Sequence, residues 1–422
     1  MEKSFLRHTA AFLLSVLAAV AFLLLGACLP QKSIDANVLR SAQGMVQQGC
    51  YPRMADGAFA SILDYTTDAL ILAESKATAI SRWDTILTNP QFQYDSADGS
   101  AVEDLYLYAQ DENPQPAKFY VQYWMGFRPV VRLLLTFLDY YQILRYTALA
   151  FFVLFAAVCC SIAGHVGPKS AFLFALSVIF VRPYVVAVSL QFSCCFLLAF
   201  GAMLLVPRVK EGWESLFFLE LGCLTMYFDF YTTPIVTFGL PMIYLFLLRQ
   251  QEEPVKLGRI GRNALSWASG YGLMWLAKLA LTSLLTSADG LGTGFASFGG
   301  RVGITKTPGM ESYYNPLTAL RTVAASLYSD RQGKLILLAA VVITLALVIR
   351  QFRKGGHTLR QLEQNSQLLV LAALPIAWFI LAAQPTANHH WFQYRGIAVT
   401  FWALFAYLHL LLRPEEPLKP IR

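Results

Sequence analysis

Ten apolar runs, separated by short polar connectors and two long polar stretches, fill most of this 422-residue chain, and that pattern leaves few folds open. They cover residues 10–28, 143–163, 170–181, 184–206, 215–232, 234–248, 263–285, 334–349, 368–383 and 396–412. A bilayer core about 30 Å thick takes about 20 apolar residues in a helix. Inside it every backbone N–H and C=O must be satisfied within the segment, so such runs are helical. Only 14% of the residues are charged, against about 25% in a soluble domain, and mean hydropathy is +0.49. The expected fold is all-α: a polytopic transmembrane bundle of about ten helices, with residues 1–422 forming a single membrane domain. Lys3 and Arg7 precede the first run, and Leu25-Gly26-Ala27-Cys28 looks like a lipoprotein cleavage box. At about 20 residues the run is long enough to span, so it reads as a retained first helix.

The net charge of +7 has a membrane explanation. With the N-terminus inside, the cytoplasmic connectors hold Lys169, then Arg208 and Lys210, then Arg249, Lys256, Arg259 and Arg262, then Arg350, Arg353, Lys354 and Arg360. The tail adds Arg413, Lys419 and Arg422, whereas the short outer connectors hold Arg182 and Arg395. This asymmetry puts both termini in the cytoplasm of a plasma-membrane protein. The basic residues form no stripe suited to nucleic acid, which is excluded as a partner. Five of the seven cysteines lie inside apolar runs, where Cys acts as a small hydrophobe. Cys28 and Cys50 are the two on the outer side, and whether they pair is left open. No P-loop, dinucleotide fingerprint, zinc-protease helix or internal repeat is present in the sequence.

The polar chemistry gathers outside. Residues 31–132 form a first outer loop rich in acids, among them Asp35, Asp56, Asp64, Asp68, Asp95 and Asp98. Apolar pairs between Ala58 and Leu72 recur at helical spacing, and Asn113-Pro114-Gln115-Pro116 reads as a break. A loop of this length between bundle helices is a candidate functional element. Asp64 and Asp68, four apart, would share one helix face and could serve as a general base or metal ligands; a solvated face is the plainer alternative. A second long outer loop, residues 287–333, carries Lys306, Tyr313 and Tyr314. Three charges fall within spans: Glu220, Asp229 and Lys278. Such charges are costly in lipid and mark either function or a structural ion pair. Tyr123-Trp124-Met125-Gly126-Phe127-Arg128-Pro129 combines rings with a guanidinium. It suits an interfacial belt, or a site for a sugar and a lipid phosphate. His389-His390-Trp391-Phe392-Gln393-Tyr394-Arg395 opens the last helix with titratable and phosphate-gripping groups.

This layout resembles the GT-C superfamily of membrane glycosyltransferases. The segments Tyr123–Pro129 and Phe228-Asp229-Phe230-Tyr231-Thr232-Thr233-Pro234 also look like those of uncharacterised polytopic proteins of Gram-positive bacteria. The GT-C resemblance implies transfer of a sugar from a polyprenyl-phosphate carrier to an extracytoplasmic acceptor, a glycan or a protein. It implies an essential acid in the loop after the first helix, where Asp35 stands, with Asp64 and Asp68 as alternatives. It also implies that His389, His390 and Arg395 help hold the carrier phosphate. Lys278 and Arg128 would add cations for the leaving phosphate, Tyr123, Trp124 and Asp229 would contribute to substrate binding, and a divalent metal could share the charge. The rival reading is a transporter or flippase of a lipid-linked glycan, for which Glu220, Asp229 and Lys278 would be coupling charges.

Overall fold

A computed structural model describes residues 2–55, 59–77, 81–94, 100–301, 315–354 and 365–411. The fold is all-α apart from one two-residue strand pair. Each of the ten apolar runs is occupied by helix. Among the described residues, five helical segments are long and apolar enough to cross a membrane: Phe5–Ala27, Tyr140–His165, Leu190–Arg208, Arg331–Arg350 and His390–Leu411. Pro168–Ile179, Ile235–Arg249 and Gln367–Leu381 are shorter apolar helices. The apolar helices mark a membrane protein.

The first helix, α1 (Glu2–Ala27), leads into a folded layer, on the side that the charge pattern predicts to be outer. That layer contains α2 (Gln31–Gln48), α3 (Tyr65–Lys76), α4 (Arg82–Leu87) and α5 (Ala101–Gln110). Strand β1 (Pro90–Gln91) pairs antiparallel with β2 (Lys118–Phe119), Gln91 facing Lys118. Local chemistry sets these boundaries. Asp64 caps α3, accepting from the Thr67 amide at 3.1 Å and its hydroxyl at 2.9 Å, and Ser81 caps α4 through the Asp84 amide. So Asp64 stands just outside the helix and Asp68 one turn within it, each with its own hydrogen-bond partners and within electrostatic reach of the other. Helix α6 (Arg128–Leu135) closes the layer.

A long helix, a short one and a broken one follow. Asp139 and Gln142 form a capping box at the start of α7 (Tyr140–His165), three residues before the apolar run begins. After α8 (Pro168–Ile179), the run expected at 184–206 divides into α9 (Pro183–Val186) and α10 (Leu190–Leu205). Ser189 starts α10 by accepting from the Phe192 amide. Helix α11 (Glu214–Phe228) is followed by α12 (Ile235–Arg249), which accommodates Pro241, and by the 29-residue α13 (Leu257–Leu285). Helices α11 and α13 touch backbone to backbone: a Cβ on Gly222 would lie 2.1 Å from the Trp267 oxygen, and one on Gly270 2.0 Å from the Leu219 oxygen. Small residues permit such approach where lipid offers no hydrophobic drive between helices.

The second long polar stretch contains α14 (Gly290–Arg301) and α15 (Pro316–Tyr328). Lys306, Tyr313 and Tyr314 lie outside the described residues, as do Asp56, Asp95, Asp98, Arg360, Arg413, Lys419 and Arg422. The chain then runs through α16 (Arg331–Lys354), α17 (Gln367–Leu381), the short α18 (Ala383–Asn388) and α19 (His390–Gln393), and α20 (Ala398–Leu411). Cys28 and Cys50 are both free thiols.

Candidate functional site

Three separate segments converge on Tyr231. The Gly126 amide donates to the Tyr227 carbonyl at 2.9 Å. Any side chain at Gly126 would strike the Tyr227 ring, only 2.3 Å from an added Cβ. This contact sets the Tyr123 ring 5.3 Å from Phe230 and 5.4 Å from Tyr231. From the last outer segment, Gln393 Nε2 donates to the Tyr231 carbonyl at 2.8 Å. Met125 and Tyr231 both have left-handed backbones, φ 57° and 59°. Such conformations cost of order 1–3 kcal/mol in a residue with a side chain and persist where the surroundings impose them.

The cation at this junction is Arg301, the last residue of α14. Its guanidinium donates to the Tyr123 hydroxyl at 2.6 Å and lies 4.2 Å from the Tyr231 ring centroid. No carboxylate forms an ion pair with it among the described residues. Little in the sequence marks Arg301: it ends a glycine-rich helix, three residues after Phe298, with no second charge in that helix. His389 stacks on Phe392 at 5.2 Å. The protein around it and, second, the Arg301 charge hold its imidazole pKa down at about 4, so it is neutral at pH 7. Asp229 ends α11, with Oδ1 accepting from the Thr232 amide at 2.9 Å. Buried oxygens without a hydrogen-bond partner among the described residues collect here: Asp229 Oδ2, Thr233 Oγ1, Tyr271 Oη and Gln393 Oε1. Each such group costs about 1–3 kcal/mol unless water or a ligand satisfies it. Tyr231 and Tyr271 lie within electrostatic reach of both Asp229 and Arg301.

An apolar groove leads to this junction. It has a volume of about 740 Å³ and runs between α6, α7, α10 and α11, from Leu205 and Phe217 to Phe127 and Phe230. Phe127 and Phe230 are in ring contact at 4.8 Å, and Phe230 contacts Tyr123, the residue bonded to Arg301. Gly201 lines the groove, and a Cβ there would meet nothing within 4 Å. Glu220 is a polar group in the groove wall; it accepts from Ser15, and its Oε1 has no partner.

The other sequence candidates have definite places. Asp68 is fully buried and accepts from the Tyr140 hydroxyl at 2.7 Å and from the Leu190 and Gln191 amides at 3.2 Å. It holds the start of α10, where a carboxylate complements the helix dipole. Burial nonetheless raises its pKa to about 7. Asp35, on α2, accepts from Gln31 at 2.7 Å. Lys278 donates to the Leu87 carbonyl and to Thr282. Arg128 donates to the Thr85 and Ala77 carbonyls. Both cations thus bind backbone oxygens of the outer layer. The Trp124 indole donates to the Met274 carbonyl at 2.8 Å. Arg395 donates to the Ala60 carbonyl at 3.0 Å and to Trp391, and His390 bonds Ser326 at 2.6 Å. The structure therefore brings Tyr123, Asp229 and His389 to the Arg301 junction, with Arg395 two residues beyond Gln393. It places Asp35, Asp64, Asp68, Lys278 and Arg128 at other contacts.

Among the described residues no three His, Cys, Asp or Glu side chains gather as a metal-ligand set. No family model, curated protein or solved structure matches the chain.

Proposed function

We propose that this protein is a membrane glycosyltransferase that takes a sugar from a polyprenyl-phosphate carrier and passes it to an extracytoplasmic acceptor. The observation that carries this reading is the apolar groove that ends at Phe127 and Phe230, with Phe230 in ring contact with Tyr123, the tyrosine that holds Arg301. An isoprenoid tail would fill the groove, gaining about 25 cal/mol for each Å² of apolar surface removed from water. Its phosphate would reach Arg301, whose planar donors match phosphate oxygens. In this arrangement the molecule crosses the membrane ten times, with both termini cytoplasmic and the Arg301 junction at the outer face.

The reaction needs three things. An acceptor hydroxyl attacks the anomeric carbon. The bond from that carbon to the phosphate oxygen breaks, and the phosphate leaves with the electron pair. A base takes the hydroxyl proton. Arg301 would stabilise the charge gathering on the leaving phosphate. Asp229, which shares Tyr231 and Tyr271 with Arg301, is the proposed base. Asp35, Asp64 and Asp68 are spoken for by contacts within the outer layer or to α10.

The test is mass spectrometry of lipids that co-purify with the gently solubilised protein. Wild type should carry a polyprenyl phosphate or its glycoside. Gly201→Trp, which fills open groove space, should lose that lipid while remaining folded. Equal lipid in both proteins, or no such lipid in wild type, overturns the reading. A second reading rests on Glu220: an acid inside a lipid-sized groove suits proton-coupled translocation of a lipid-linked glycan. That version demands a pH gradient for activity, which a transferase does not.

A further inference from the structure

A second cavity lies in the outer layer, apart from the groove. It has a volume of about 180 Å³ and sits between α3, α5 and the β1–β2 pair. Its walls mix two chemistries. Phe92 and Tyr108, stacked face to face at 3.9 Å, form an apolar side with Leu105. Gln91, Asp104 and Lys118 supply amide, carboxylate and ammonium groups. One acid and one base leave the lining without excess charge, so an anion or a cation would gain no unbalanced partner. A purely apolar ligand would strand the polar groups. Behind Gln91, the fully buried Glu74 accepts from the Gln91 amide at 2.5 Å and leaves its own Oε2 without a partner among the described residues. Glu74 thus fixes the Gln91 amide from behind the wall without itself lining the cavity.

The cavity is also close to the Arg301 junction. Tyr120 lines it. The Tyr120 ring meets Tyr123 edge-on at 6.1 Å, Lys118 lies over Tyr120 at 5.5 Å, and Tyr120 is within electrostatic reach of Arg301. A single tyrosine layer separates the two.

We propose that this cavity binds a neutral saccharide ring, the sugar of the acceptor. A pyranose offers C–H faces to aromatic rings and hydroxyls that both donate and accept, matching walls that combine rings with Asp104, Gln91 and Lys118. The role as acceptor subsite rests on the transferase reading; saccharide binding itself does not.

The experiment is ligand-observed NMR and calorimetry on the purified full chain with glucose, mannose and N-acetylglucosamine up to about 10 mM, a range suited to weak single-sugar sites. At least one should bind saturably. Ala101→Trp, at a partly exposed lining position that starts α5, should abolish the binding. Asp104→Asn should weaken it about tenfold, the worth of one charge-assisted hydrogen bond. Both variants should retain the lipid found with wild type, which shows that they are folded. No saturable binding, unchanged binding in Ala101→Trp, or preferential binding of free alanine as a zwitterion overturns the proposal. Sugar binding without any polyprenyl lipid supports the saccharide site and counts against the transferase. Lipid without sugar binding does the reverse.

Discussion

Buried cations in this molecule divide by what they touch. Arg128, Arg132, Arg395 and Lys278 all donate to backbone carbonyls, and Arg182 pairs with Asp330 at 2.6 Å. Removing one of these leaves oxygens unpaired, at about 1–3 kcal/mol each. Arg301 donates to a tyrosine hydroxyl that can turn to other partners, so its loss should cost function more than stability. Lys278→Met should lower the unfolding temperature in detergent by a few degrees, about 1 kcal/mol for one lost hydrogen bond, since the Thr282 hydroxyl still donates to the Leu87 carbonyl at 3.2 Å. Arg301→Gln should leave that temperature nearly unchanged while lowering transfer at least a hundredfold, the scale of one charge-stabilising group. A large thermal loss in Arg301→Gln with full transfer would reverse the assignment. The sequence marks Lys278 and Arg128 more strongly than Arg301. An intramembrane lysine and an arginine among aromatics are conspicuous, but the carbonyls they satisfy come from chain positions 191 and 43 residues away. No local pattern encodes such a pairing.

Elements were legible to the degree that their burial is periodic along one segment. The apolar runs are helices because lipid admits little else. Helix α2 also carries a signal in its own sequence: Ile34, Val38, Ala42 and Met45 are all fully buried at helical spacing. The polar residues between them make the segment look like part of an open loop. The break between α9 and α10 was hidden, because it depends on Asp68 receiving the Leu190 and Gln191 amides from another element. The same outer layer contains a pH-sensitive seam. Glu74 on α3 faces Arg128 of α6, Lys278 of α13, Gln91 and Tyr108. Burial raises its pKa to about 8, although Arg128 and Lys278 pull the other way. The unfolded carboxyl titrates near its ordinary value of 4.5. Between those values the folded state binds more protons, so stability falls as pH rises. The Glu74 contribution to stability should therefore fall between about pH 5 and pH 8, and Glu74→Gln should flatten the profile in that window by that part, with Asp68 and Asp64 acting in the same direction and His389 opposing them at its acid end. An identical pH profile in the variant would show that Glu74 is charged throughout.

At the scale of the molecule, the arrangement has two faces of different character. One carries the layer of α2 to α6, the Arg301 junction and the smaller cavity. The other carries a cation-rich connector, in which Arg249 and Arg259 grip the buried Glu214 at 3.1 Å and 2.7 Å. Nearby, Arg7 lies over Trp213 and His8 bonds Ser215, so the N-terminal end of α1 belongs to this same face. Positive residues are retained on the cytoplasmic side during insertion, so the proposed orientation has this face inside and the Arg301 junction outside. The orientation can be read with an impermeant maleimide on intact cells, in a background where the exposed Cys28 and Cys160 are replaced by serine. Gln110→Cys, on the exposed end of α5, should label without permeabilisation. Gly258→Cys, where a side chain meets open space near Arg259, should label only after the membrane is breached. The reverse pattern would place the Arg301 junction in the cytoplasm, where soluble nucleotide-activated sugars could serve, and the argument for a membrane-carried donor would then rest on the groove alone.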